Sequence, residues 1–192
     1  IIIDRSSYPH IKPINSIKKI SRFLSLLSKM LVDENVLSTS FTSEALQKTI
    51  EKNFSYTWKL YYEFQIPMMI GYKGFFGDLE TFHIWGLCVV NQHLFLQKKN
   101  KKKERLKFIK DLTSINNVPG VNAMSISDIS GIPRATVVRK LKKLLKKNYL
   151  VIDDKKHYRL TDTPMNKVAS IQNIVLQRLA KFSTKIFNLT IL

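Results

Sequence analysis

The sequence predicts a mainly α-helical chain with one small β-hairpin set before a last helix. Three observations carry this expectation. Apolar side chains recur at helical spacing through residues 14–32, 42–67, 78–97 and 165–189. Two shorter helical patterns, residues 122–130 and 133–147, are separated by Gly131. Two β-rich runs, residues 149–152 and 157–161, flank Asp153, Asp154, Lys155 and Lys156, as strands flank a hairpin tip. With 192 residues, 44% of them hydrophobic, the chain is long enough for one full domain or two small ones, and disorder throughout is excluded.

The elements follow in order. In residues 14–32, Ile17, Ile20, Phe23, Leu24, Leu27, Met30 and Leu31 form one stripe, with Ser16, Lys18, Lys19 and Arg22 opposite. Residues 33–42 read as a connection, and Thr42 with Glu44 supplies a cap and a first-turn acid for the next helix. Leu46, Ile50, Phe54, Trp58 and Tyr61 then continue one long aromatic helix to Pro67. Gly71, Gly74 and Gly77 read as a flexible connector, because no strand precedes them and no Gly-Lys-Ser/Thr follows, as a phosphate cradle requires. Asp78 caps a helix through about Gln97, whose apolar residues from Leu79 to Leu94 call for cover on nearly all sides, within the domain or between subunits. Residues 98–105 are a charge run, 106–115 a helix and 116–120 a turn.

Asn122 can cap a two-turn helix with Ala123, Ile126 and Ile129 inward, and Gly131 permits the positive φ of a sharp stop. Pro133 suits the start of the next helix, where its missing N–H is no loss. On that helix Val137, Leu141 and Leu144 form a buried stripe, widened by Val138 and Leu145. The opposite face carries Ala135, Arg139, Lys142 and Lys146, flanked by Thr136, Lys140 and Lys143, with Arg134 at the N-terminal corner. The helix holds no acid to offset repulsion between neighbouring cations, so an external anion is expected there. Asn148 tolerates the left-handed conformation that ends the helix, and the hairpin follows. A final helix over residues 165–189 places Val168, Ile171, Ile174, Val175, Leu179, Phe182 and Ile186 inward.

Charge points the same way. Thirty-two basic and fourteen acidic residues leave a formal +18, which favours polyanions: nucleic acid first, anionic membrane second. Residues 98–160 hold 18 basic and 5 acidic residues, so +13 of that excess sits on a third of the chain. A Lys bias from an AT-rich coding sequence would spread the charge more evenly. The basic helices lack the exposed Trp or Phe insertion face of a membrane-surface helix, and no run of 18 uncharged apolar residues exists.

Residues 126–137, then Arg139, Lys140, Leu141, Leu144, Asn148, Tyr149 and Leu150, and the closing Tyr158-Arg159-Leu160-Thr161-Asp162 resemble the winged helix-turn-helix of bacterial transcriptional regulators. The MarR type is closest, and IclR- and Crp-type modules share the core pattern. Ser127 stands where the family has a small Ala, Pro133 where it has a Ser or Thr cap, and Asn148 where it has Gly. The resemblance covers residues 122–162. It implies a cytoplasmic, nucleoid-associated, sequence-specific regulator of double-stranded DNA, acting as a homodimer on two half-sites. The chain then divides into an N-terminal helical region, 1–97, for dimerisation or effector binding; a DNA-binding region, 98–162; and a C-terminal helix, 163–192.

With one helix in the major groove, Arg134, Ala135, Thr136 and Arg139 are the base-reading candidates. Lys140, Lys142, Lys143 and Lys146 suit phosphates, and Lys155, Lys156, His157 and Arg159 of the wing suit the flanking backbone or minor groove. The alternative is a winged-helix module that binds RNA or docks a protein without DNA specificity.

No enzyme, metal or cofactor is expected. His83, Cys88 and His93 are spaced so that they point to different sides of their helix and cannot converge on a metal. Cys88 has no orienting acid or oxyanion donor nearby in sequence; as the single cysteine it makes no internal disulfide and fits a reducing compartment. Tyr56, Trp58, Tyr61, Tyr62 and Phe64 read as an interhelical aromatic core ahead of an effector pocket. The start at Ile1, without Met or a signal-peptide pattern, reads as a ragged end.

Overall fold

The computed structural model describes residues 11–99 and 119–191. The helices are α1 (Ile11–Asp33), α2 (Ser43–Lys52), α3 (Phe54–Phe76), α4 (Leu79–Lys99), α5 (Ala123–Ser130), α6 (Arg134–Lys146) and α7 (Met165–Ile191); strands β1 (Leu150–Ile152) and β2 (Tyr158–Leu160) pair antiparallel. The chain is thus mainly helical with one small hairpin. The helix expected over residues 106–115, and most of the charge run before it, lie outside the described residues. The described residues form two compact units, one holding those up to Pro67 and from Val175 onward, the other Met68–Ile174. These cuts differ from the division at 97/98 and 162/163 expected with the winged-helix resemblance.

In the first unit, Ile17 and Leu24 of α1, Leu46 and Ile50 of α2, Leu60 of α3 and Phe182, Ile186 and Phe187 of α7 make one core. The inward face of α1 is completed by serines. Ser25 Oγ donates to the Phe41 carbonyl at 2.8 Å and Ser28 Oγ accepts from the Phe41 N–H at 3.0 Å, fastening the 34–42 connection to the helix. Phe23 and Met30, expected on the buried stripe, are 47% and 64% exposed because those serines take the inward positions. Thr42 caps α2 as expected, accepting from the Ala45 N–H at 3.2 Å.

The long aromatic helix is broken and continued differently from expectation. It stops at Asn53, whose side-chain amide donates to the Thr49 carbonyl at 3.0 Å. A new helix starts at Phe54 and runs through Pro67, Gly71 and Gly74 to Phe76, so the connector shrinks to Gly77 and Asp78, with Gly77 at φ +88°. Proline in a helix interior removes the N–H that would bond the carbonyl four residues back, here that of Glu63. The Arg178 guanidinium donates to that same carbonyl at 3.0 Å, replacing the missing donor. Trp58, Tyr61 and Phe64 pack on the core, Phe64 stacking on Phe182 at 5.9 Å, while Tyr56 and Tyr62 are each 46% exposed.

In the second unit, α4 buries one face, Thr81, Ile84, Trp85, Cys88, Gln92 and Leu96, and leaves Val90 and Leu94 half-exposed. Within the chain the helix is therefore covered mainly on one side. Its buried face carries α5, α6 and β2. The Gln92 Oε1 accepts from the Leu160 N–H at 2.6 Å, satisfying a backbone donor of β2 inside the core. Val121 adds a further bridge on the edge of β2 away from β1, exchanging hydrogen bonds with Tyr158 at 2.9 and 3.1 Å. Ile129 and Ile174, expected inward, are 68% and 54% exposed.

The Arg178 contact yields a test by double-mutant cycle. Arg178→Met is expected to lower stability by about 0.5–1.5 kcal/mol in urea unfolding, the range for one lost hydrogen bond. In a Pro67→Ala background, where an N–H at position 67 can take the Glu63 carbonyl, the same substitution should cost close to nothing. Equal costs in both backgrounds would show that Arg178 does not stand in for the proline.

Candidate nucleic-acid interface

α5 begins where Asn122 Oδ1 accepts from the Ser125 N–H at 2.9 Å and ends at Gly131, φ +69°. The turn is held from both sides by serine: Ser127 Oγ donates to the Ile132 carbonyl at 2.8 Å, and Ser130 Oγ accepts from the Ile132 N–H at 3.1 Å. Ser127 thus ties the turn at a position where an alanine could not. Pro133 is the residue before α6, and its carbonyl accepts the first helical bond from Val137.

α6 seats Val137, Leu141 and Leu144 with no exposure at all. Burying three such side chains stabilises by about 1.5–3 kcal/mol each, which outweighs repulsion among surface cations at a few tenths of a kcal/mol per pair. Asn148 ends the helix at φ +55°; its N–H bonds the Leu145 carbonyl and that of Tyr149 the Leu144 carbonyl, the paired bonds of a Schellman ending. Thr161 closes the hairpin by donating its hydroxyl to the Asn148 carbonyl.

With α6 oriented by that buried stripe, two outer sides are distinguished. Arg134, Ala135, Arg139, Lys142 and Lys146 are exposed, and among the described residues no acidic side chain pairs with them. Ala135, Arg139, Lys142 and Lys146 fall within about 60° of one another around the axis. About 100° away lie Thr136, Lys140 and Lys143, and this side is not free of acid. Lys140 Nζ sits 2.8 Å from Asp78 Oδ1 and 3.3 Å from Glu80 Oε2, with its side chain only 13% exposed. Lys143 Nζ lies 3.4 Å from Asp78 Oδ2 and stays 42% exposed. Thr136 is half-buried. Lys140 and Lys143, two of the phosphate candidates, thus each have a carboxylate partner at the start of α4. Lys147 extends over the Tyr149 ring, 5.6 Å from its centroid.

Asp78 is the pivot of this side. Its Oδ1 also accepts from the backbone N–H of Thr81 at 2.7 Å and from the Thr81 hydroxyl at 2.8 Å, capping α4. Partial burial works to raise its pKa, but the hydrogen bond from Lys140, the two from Thr81 and the Lys140 charge together hold the carboxyl well below the usual carboxylate range.

At the hairpin, Lys155 and Lys156 are exposed, with Lys156 at φ +60°. Asp153 organises the tip, its Oδ1 accepting from the backbone N–H groups of Lys155 and His157 at 3.0 and 2.9 Å. Its Oδ2 pairs with Arg159, and His157 Nδ1 lies 3.7 Å away. The His157 N–H and the Arg159 guanidinium hold the Asp153 carboxyl low despite some desolvation. Arg159 and His157, the wing candidates for a nucleic-acid backbone, thus both lie against Asp153 at the tip.

His83 is exposed, Cys88 buried and His93 half-buried. Burial pushes the Cys88 thiol up to about 12, against a small opposing backbone hydrogen bond, so it is neutral at physiological pH. Among the described residues no group of three or more His, Cys, Asp or Glu stands close enough to hold a metal ion, and no helix is long and apolar enough to cross a membrane. No protein-family model, curated protein or solved structure matches the chain.

Sequence reasoning missed Asp78 and Glu80 as partners of α6. The cap role of Asp78 was readable beside the helix pattern it starts, but its pairing with a lysine 62 positions on was not.

Because Asp78 is held below its unfolded value of 3.8, its stabilising effect is complete above that value and is lost as pH falls through the lower folded value. Asp78→Asn keeps a capping side chain but loses the charge. It is expected to unfold at lower urea than wild type at pH 7, with the gap closing as pH falls toward 2. A gap that is constant with pH would contradict the ion-pair assignment.

Proposed function

We propose that residues 119–162 form a winged helix-turn-helix and that the protein is a sequence-specific, duplex-DNA-binding transcriptional regulator of MarR-like type. The reading rests on one observation: an exposed stripe of cations on α6, unmatched by acid among the described residues, on a helix whose opposite face is fixed in the core. The α5–turn–α6 arrangement with the hairpin after it supports the same reading.

The B-DNA major groove admits one helix, and residues near the N-terminus of that helix reach base edges. Arg134 and Arg139 can each pair with guanine through two hydrogen bonds, Ala135 permits close approach, and Thr136 can touch a base edge or thymine methyl. Lys142 and Lys146 farther along, with Lys155 and Lys156 of the hairpin, neutralise phosphates and set the register without reading sequence. The reading includes a cytoplasmic, nucleoid-associated homodimer on two half-sites, for which the exposed Val90 and Leu94 of α4 offer apolar surface. It has no catalytic step, metal or cofactor.

Selection of a duplex site followed by gel shifts at several salt concentrations tests it. Four phosphate-facing lysines per protomer predict a log–log salt slope of about −7 for a dimer. Arg139→Ala should cost about 1–3 kcal/mol on the selected site and relax preference at one base, whereas Lys142→Ala should weaken all sequences alike and flatten the slope. Identical behaviour of the two variants would remove Arg139 from base reading. Preference for structured RNA over every duplex would overturn the proposal.

A further inference from the structure

The carboxylates at the start of α4 lie against Lys140 and Lys143 on one flank of α6. We infer that Asp78 is an internal competitor of the DNA backbone: it withholds Lys143 from phosphate and so holds down the affinity of the α6 surface for any duplex. The inference rests on the DNA-binding reading and concerns what limits it.

Four observations carry the assignment. Lys143 lies 3.4 Å from Asp78 Oδ2 yet remains 42% exposed, so it is within reach of solvent and of an approaching anion. Lys140 is different: its side chain is 13% exposed and is shared between Asp78 and Glu80, so it stays inside when one carboxylate is neutralised. Asp78 cannot easily turn away, because Thr81 holds the same carboxylate by two hydrogen bonds. Gly77, at φ +88°, forms the turn that brings Asp78 up to α6, and Lys143 Nζ lies over it, 2.9 Å from where a Cβ would stand.

The position on α6 gives the contact its consequence. A helix whose outer stripe faces base edges turns its two flanks toward the walls of the groove, which are lined with phosphate. The Lys140 and Lys143 flank is one of these, about 100° from the stripe. A phosphate that approaches it meets two carboxylates as well as the lysines; the Asp78 charge offsets that of Lys143 and repels the phosphate. Counterion release per additional phosphate contact scales as salt to the power of about −0.9, so a withheld contact is worth about eightfold in affinity at 0.1 M salt.

Asp78→Asn preserves the cap and frees Lys143. On a duplex of arbitrary sequence, the variant dimer is expected to bind about sixtyfold more tightly at 0.1 M salt, with a slope steeper by about two, one contact per protomer. Lys143→Gln in the wild-type background should change the slope by well under one, because that lysine is already engaged, but in the Asp78→Asn background it should cancel the gain. Glu63→Gln makes the same change in net charge in the other unit and should leave the slope unchanged.

If wild type fails to bind duplex DNA, the functional reading itself fails. If wild type binds but Asp78→Asn gives an equal or flatter slope, or Lys143→Gln does not cancel a steeper one, the inference is overturned and the functional reading stands. Should Asp78→Asn not fold, Lys143→Gln alone decides: a full unit of slope lost per protomer shows that Lys143 contacts phosphate freely in the wild-type protein.

Discussion

The second unit depends on one face of α4. Ile84, Trp85, Cys88 and Gln92 form the floor on which α5, α6 and β2 rest, and the start of the same helix reaches α6 through Asp78 and Glu80. The apolar contact and the ionic one act at different places. Val137, Leu141 and Leu144 decide which side of α6 is hidden. Asp78 and Glu80 then divide what remains, so that one flank is matched from within and the stripe carrying Arg139, Lys142 and Lys146 is not. Gln92 performs the corresponding service for the hairpin by satisfying the Leu160 N–H, which would be costly to leave buried without a partner.

This division changes the meaning of the basic composition. A net charge of +18 suggests a surface that attracts polyanions in general. The pairing of Lys140 with two carboxylates, and of Arg159 with Asp153, shows that part of that charge serves the fold. What is left on α6 is a narrower set, and it is this set that the proposed DNA-binding reading uses. The hairpin follows the same economy. Asp153 spends one oxygen on the backbone of the tip and the other on Arg159, leaving Lys155 and Lys156 outward.

Features governed by neighbours in sequence were legible. The caps at Thr42, Asp78 and Asn122, the left-handed endings at Gly131 and Asn148, and the buried stripe of α6 all follow from local chemistry or from a 3.6-residue period. Features governed by distant partners were not. Pro67 is a helix terminator by its own chemistry and becomes an interior residue because Arg178 supplies the donor. Gly71 and Gly74 have the composition of a connector but continue α3. Ile129 and Ile174 satisfy a helical period and still lie exposed, since periodicity states which residues share a face and not what covers it. The candidate stripe on α6 could be drawn from sequence alone, while the pairing of Lys140 and Lys143 on its flank, and of Arg159 in β2, required the positions of Asp78, Glu80 and Asp153.

The central claim is that one defined side of α6, with the hairpin tip beside it, is the surface that meets nucleic acid. Backbone amide resonances followed during titration with a selected duplex test this most directly. The account predicts shifts concentrated in residues 134–146 and 154–157, largest near Arg134, Arg139 and Lys142, with the first unit little changed. Shifts centred instead on residues 43–67 or 175–191, or none at saturating duplex, would contradict it.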